Sequence, residues 1–99
     1  APAAAASVEI DPATIAAGTR LAQLGAFDDV ETAKAEWTKL QTRFAELLAS
    51  KSMVVQAAQS GGRTFYRLRA HGFADEDEAR RFCAALLAEN AACIPVAHR

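Results

Sequence analysis

The sequence predicts an α+β domain with the βαββαβ order of a ferredoxin-like or RNP-like fold, a four-stranded antiparallel sheet with two helices on one face. Two observations lead to this prediction. In each half of the chain, a strand-like run is followed by acidic residues and then by a helical apolar pattern. The two halves also keep a constant offset of 46 residues between equivalent positions: Phe27 and Phe73, Ala33 and Ala79, Leu40 and Leu86.

Length and charge limit the possible functions. A chain of 99 residues fits a single domain. Its 11 basic and 12 acidic residues give no general attraction to nucleic acid or to anionic membranes. No apolar run approaches the roughly 18 residues that span a bilayer. Because the sequence starts at Ala1 without a methionine, we expect a fragment whose signal or anchor lies outside it.

Residues 1–18 are predicted to be a flexible linker, and residues 19–97 to be the folded domain. The first segment is rich in alanine, contains Pro2 and Pro12, and lacks apolar periodicity. A short helical turn is expected near Pro12, since proline suits the first position of a helix.

The first strand is predicted over residues 19–24. Alternation places Leu24 on the face toward the helices, and Leu21 and Gln23 on the opposite, open face. Gly25 indicates a bulge or bend at the end of this strand.

The first helix follows from apolar residues that recur at helical spacing. These residues are Val30, Ala33, Trp37, Leu40, Phe44 and Leu47. Asp28 or Asp29 is the expected N-cap, and Glu31 can complete a capping box with Asp28. The stripe is predicted to be core rather than a ligand-stacking surface.

A β-hairpin is predicted from strands over residues 53–58 and 64–70, joined by a turn over residues 59–62. In the third strand, alternation assigns Tyr66, Leu68 and Ala70 to the helix-covered face. The open face then receives Phe65, Arg67 and Arg69.

The second helix is predicted to begin near Asp75, with Glu78 as the partner in a capping box. Its buried side comprises Ala79, Phe82, Cys83 and Leu86. A fourth strand over residues 93–96 completes the sheet. Right-handed crossovers place the first and third strands side by side at the centre.

No catalytic, cofactor or metal site is indicated, so the chain is not expected to be an enzyme. Its two histidines are His71 and His98, and Cys83 lies on the apolar side of its helix. A structural zinc site needs four ligands at recognisable spacing, which the sequence lacks. Cys83 and Cys93 are either one disulfide or two small buried residues, and their spacing does not choose between these readings.

The open face carries the functional argument. Gln23, Arg67 and Arg69 are polar residues of a kind that any solvated sheet face contains. They also suit an extended ligand, because guanidinium groups bind carboxylates and amides bind hydroxyl and amide groups. Phe65 beside them offers a surface for stacking on a sugar or a base.

These residues resemble the SPOR domain, the bacterial sporulation-related repeat. Ala22–Phe27 is similar to its opening signature, in which apolar-Gln-apolar-Gly-small-Phe precedes an acidic helix start. Tyr66–Arg69 followed by Gly72–Phe73 resembles its second signature, although the family often has Gly-Pro-Phe where this chain has His-Gly-Phe. Glu78–Ala79 stands where the family has an acidic-alanine pair. The resemblance covers Thr19–Val96.

The resemblance implies a non-catalytic domain that binds peptidoglycan, especially glycan strands stripped of stem peptides by amidases at the division septum. It also implies a periplasmic location and an anchored or secreted parent protein in which residues 1–18 act as a tether. We expect a monomer that makes no direct membrane contact and does not bind nucleic acid.

Carried over by position, the glycan site would contain Gln23, Gly25, Ala26, Phe65, Arg67 and Arg69. An oxidising periplasm also favours a disulfide between Cys83 and Cys93.

Two other functions fit the same fold. An RNA-recognition module uses this open sheet, but it needs several aromatic residues on the central strands and a basic surround. The net charge here is −1. A protein-interaction module would be supported if Leu21 and Phe65 were exposed together.

Overall fold

The computed structural model describes residues 9–98. The strands are β1 (Arg20–Phe27), β2 (Ser52–Ser60), β3 (Arg63–His71) and β4 (Ile94–Ala97), and the helices are α1 (Val30–Arg43), α2 (Ala45–Leu48) and α3 (Glu76–Ala88). The sheet order is β2-β3-β1-β4, and every neighbouring pair is antiparallel. The predicted α+β fold class is confirmed, with β1 and β3 at the centre. The first eight residues of the predicted linker lie outside the described residues.

The core lies between the helices and one face of the sheet. Trp37 of α1 and Leu86 of α3 are almost completely buried against Leu24 and Leu68 of the central strands. Burying large apolar side chains of this kind contributes roughly 1.5–3 kcal/mol each. In the structure a disulfide joins Cys83 of α3 to Cys93, directly before β4. Within residues 9–98, no helix is long and apolar enough to cross a membrane.

The first helix is interrupted at Phe44, which the sequence analysis placed inside one continuous helix. Phe44 has φ −123° and ψ 51°, so the backbone leaves the helical region there. Its N–H still donates to the Leu40 carbonyl at 2.7 Å. The turn starts α2 and allows Leu48 to be buried as well.

The helix starts follow the predicted capping chemistry with small differences. Asp29 caps α1, accepting from the Thr32 N–H at 2.7 Å. Asp28 instead forms an ion pair with Arg63 at 2.8 Å, so the capping box expected from Asp28 does not form. In α3, Asp75 accepts from the N–H of Glu78, and the Glu78 carboxylate accepts from the N–H of Ala74 rather than from Asp75.

The segment of residues 9–19 is held against the sheet at both ends. Its first end lies along β2, where the Ile10 N–H donates to the Met53 carbonyl at 2.8 Å. A 3-10 turn over Pro12–Thr14 follows and contacts β2. At the other end, the Gly18 N–H donates to the His98 carbonyl at 2.7 Å. The segment thus leads from one edge of the sheet to the start of β1.

Two residues on the open face are completely buried. Val54 pairs with Arg69, and Leu21 lies two positions before Gln23, so both belong to the face opposite the helices. Neither is part of the core under the helices, yet both have 0% exposure. Leu21 is therefore on the predicted face but is not exposed. An interaction surface built on exposed Leu21 and Phe65 loses its support.

Candidate functional site

A groove of about 490 Å³ lies on the open face of the sheet. Its lining residues come from all four strands: Gln23, Gln56, Arg67, Arg69, Val96 and Ala97. Three of the predicted site residues, Gln23, Arg67 and Arg69, are therefore brought together.

Strand register explains why these side chains meet. Arg69 on β3 is paired with Gln23 on β1, and Arg67 is paired with Gln56 on β2. Side chains that are directly opposite on antiparallel strands share a face and come within contact distance. A β-bulge between Gln23 and Gly25 shifts the register just beyond this row, as the glycine had indicated.

Arg69 is the buried centre of the groove floor, with 7% exposure. Its Nε and Nη2 atoms donate to Gln23 Oε1 at 3.1 and 3.0 Å, and its Nη1 atom donates to Gln56 Oε1 at 2.8 Å. Burial lowers the pKa of Arg69, and the nearby charge of Arg67 lowers that pKa further. A guanidinium group nevertheless stays protonated in proteins, so the floor carries a positive charge.

Arg67 is exposed on the same face. Among residues 9–98, its side chain has no hydrogen-bond acceptor and no acidic partner within salt-bridge distance. A free guanidinium beside two amides can bind a carboxylate through two parallel hydrogen bonds. The groove therefore suits an anionic, hydroxyl-rich ligand rather than an apolar one.

Phe65 and Ala26 lie next to this groove without lining it. Phe65 is half-buried, two residues before Arg67, and the Arg63 guanidinium lies 4.9 Å from the centre of its ring. Ala26 is exposed and paired with Arg67. Both residues extend the open face beyond the polar row.

Gly25 does not reach the groove. It is paired with Leu68, whose side chain is in the core under the helices. A Cβ atom at Gly25 would lie 3.0 Å from the tip of the Phe27 ring. The glycine therefore makes room for Phe27 to pack on the helix side, and its part in a glycan site stays a prediction.

Three groove residues were not predicted: the polar Gln56, and Val96 and Ala97 of β4. Gln56 stands in an edge strand that is otherwise mostly apolar, so the composition of that strand does not indicate a polar site. The signal was present: the hairpin places Gln56 opposite Arg67, and alternation puts it on the open face. Among the described residues, no group of three or more potential metal ligands is present.

Comparison with known proteins is consistent with this architecture. The SPOR domain family model matches residues 16–97. Among solved structures, the peptidoglycan binding domain of the Bacillus subtilis cell wall lytic enzyme CwlC matches with a TM-score of 0.56 and 16% identity, covering 87% of this chain and 96% of that chain. At this identity the likeness concerns the fold. A search of curated proteins gives no significant match.

Proposed function

The chain belongs to the SPOR domain family, and we propose that it binds bacterial peptidoglycan through the groove on its open face. SPOR domains are non-catalytic binding modules of the cell wall. The structural match to the peptidoglycan binding domain of CwlC supports the same ligand class. The observation that carries the proposal is the exposed Arg67, which has no partner within residues 9–98 and lies beside two glutamine amides in an open groove.

The preferred ligand in this proposal is a glycan strand without stem peptides. Removal of a stem peptide hydrolyses an amide and leaves a free lactyl carboxylate on the muramic acid. Arg67 can pair with that carboxylate, whereas peptide-bearing glycan lacks it. Stem peptides would also collide with the shallow sheet surface. Charge pairing and steric exclusion then favour the same substrate.

The place of action follows from this substrate. Amidases produce stripped strands at the division septum, so the domain would be periplasmic and enriched at that site. The groove is complete within one chain, which suits binding as a monomer. The domain itself would contact the wall rather than the membrane.

The direct test is retention on purified sacculi with and without amidase treatment. We expect the wild-type domain to be retained more strongly on treated sacculi. Arg67→Ala should weaken that retention about tenfold or more, because a charge-assisted bidentate contact is lost. Arg80→Ala is the matched control, since it removes the same charge from an exposed position on α3 whose ion-pair partner is Glu76.

Either of two results would contradict the proposal. Equal retention on treated and untreated sacculi would remove the preference for stripped glycan. Equal retention of Arg67→Ala and Arg80→Ala would show that Arg67 does not contact the ligand.

A further inference from the structure

The Arg69 side chain ties three neighbouring strands together. It projects from β3 and donates on one side to Gln23 of β1 and on the other to Gln56 of β2. Both glutamines line the groove, and both are half-buried.

The chemistry of arginine fixes which way the two amides point. A guanidinium group has hydrogen-bond donors and no acceptor, so only the oxygen of a glutamine amide can face Arg69. Each Nε2 group is therefore turned away from it. Neither Nε2 atom has a protein acceptor among residues 9–98, and neither is a buried polar atom lacking a partner. Both NH₂ groups consequently reach the water in the groove.

We propose that Arg69 is a positioning residue that presents the NH₂ groups of Gln23 and Gln56 as a fixed pair of donors, and that Gln56 is a ligand-binding residue. This inference rests on the proposed function. The matching ligand groups are acceptor oxygens, above all the carbonyl oxygens of the acetamido groups on an N-acetylated glycan.

The arrangement favours ligand groups that accept hydrogen bonds over those that only donate them. An unrestrained glutamine can turn either its oxygen or its nitrogen toward a ligand. Here Arg69 holds the oxygen of each amide, so Gln23 and Gln56 turn their NH₂ groups to the groove before the ligand arrives, which reduces the entropic cost of binding. Arg69 is buried and bonded to these amides, so the exposed Arg67 is the group that meets a carboxylate in this proposal.

Gln56→Glu tests the inference, because it should weaken binding without lowering stability. The new carboxylate still accepts from Arg69 and strengthens that contact, so the melting temperature should stay the same or rise. It has no donor to offer the groove, and its negative charge repels a carboxylated glycan. We expect about tenfold weaker binding to amidase-treated glycan strands. Unchanged binding by this variant would contradict the inference.

Gln59→Glu is the matched control for this substitution. It makes the same chemical change on the same strand, at an exposed position on the opposite face. It should leave binding at the wild-type level.

Arg69→Lys and Arg69→Met separate positioning from direct contact. Lysine keeps the charge, but its single ammonium cannot hold two amides as the guanidinium fork does. We therefore expect both variants to lose binding to a similar extent, with folding checked by thermal melting. If Lys retained most of the affinity, Arg69 would be a direct partner of the ligand charge and the inference would be overturned.

The outcomes also distinguish this inference from the proposed function. A wild-type domain that fails to bind stripped glycan overturns both. A wild-type domain that binds, together with a Gln56→Glu variant that binds equally well, overturns the donor pair alone.

Discussion

Arg67 and Arg69 are the same residue type on the same face of one strand, but their surroundings give them different roles. Arg69 is buried and bonded to two amides, whereas Arg67 is exposed and has no protein partner among residues 9–98. We expect removal of Arg69 to disturb the two amides that it holds, and removal of Arg67 to take away the exposed charge of the groove. Burial, more than residue type, decides what each guanidinium does.

Gly25→Ala should destabilise the fold without changing the site. The new Cβ would lie 3.0 Å from the tip of the Phe27 ring, which must then shift within its packing. We expect the free energy of unfolding to fall by about 1 kcal/mol, at the low end for overpacking. Urea denaturation measures this change, and glycan binding by the folded variant should remain at the wild-type level.

The control for Gly25→Ala is the same change in a Phe27→Leu background. If the cost arises from the ring, it should largely disappear when the ring is absent, which a double-mutant cycle reports as coupling. A loss of binding by the folded Gly25→Ala variant would instead return Gly25 to the glycan site.

Residues that line the groove were predictable where alternation alone decides the face. Gln23, Arg67 and Arg69 follow from period-two patterns in two strands, and the register brings them together. Leu21 has the same pattern but is buried, because alternation assigns a face and does not decide exposure. The bonding of Arg69 was equally hidden, since it needs partners from two other strands.

At the scale of an element, the start of α1 is capped by a side chain that the sequence already indicated as an N-cap. Asp29 caps the helix by accepting from the Thr32 N–H. Hydrogen bonds from the side chain and then the backbone of Thr32 lower the pKa of Asp29 below its ordinary value of 3.8, and desolvation opposes this only weakly. The folded state therefore favours the ionised form of Asp29.

This lowered pKa predicts a pH dependence of stability. Because the folded pKa lies below the unfolded one, the cap's contribution is complete above pH 3.8 and is lost as the pH falls through the folded value. Asp29→Asn keeps the cap but cannot ionise. The free energy of unfolding of wild type should therefore fall relative to that of Asp29→Asn as the pH is lowered below 3.8.

Denaturant titrations of both proteins across this range provide the measurement. Asp28→Asn is the control, because Asp28 is exposed and does not cap the helix. A difference between wild type and Asp29→Asn that stays constant with pH would contradict the prediction.

Element types could be predicted from local patterns, but the break in the first helix could not. The apolar stripe runs through Phe44 at unbroken helical spacing, so periodicity gives no signal there. After the break, Leu48 is buried in the core between the helices and the sheet. The Arg43 guanidinium donates to the carbonyl of Glu89, which directly follows α3. Such tertiary contacts decide where a helix ends, and no single segment contains them.

At the scale of the whole molecule, the internal repeat builds the centre of the groove. Gln23 and Arg69 are 46 residues apart, the same offset as the repeat, and they hydrogen-bond to each other. The fold places equivalent strands side by side, so equivalent residues become neighbours. Because the two equivalent positions carry different residue types, Arg69 can donate a hydrogen bond and Gln23 can accept it.

Residues 9–15 lie before the family match, yet they belong to the structure of the sheet. Ile15 and Ala17 line one groove together with Gln56 and His98, so the segment passes close to the polar row. We therefore expect the segment to act as a stabilising cover over Leu21 and Val54.

Removal of residues 1–15 should lower the free energy of unfolding by about 2 kcal/mol, because Leu21 and Val54 would regain contact with water. Removal of residues 1–8 is the matched control: it deletes no contact that the structure describes and should leave stability unchanged. Urea denaturation compares the two deletions with the full chain. Hydrogen exchange adds a local readout, since the Val54 amide should exchange faster only in the longer deletion. Identical unfolding midpoints for the two deletions would show that residues 9–15 contribute nothing to the fold.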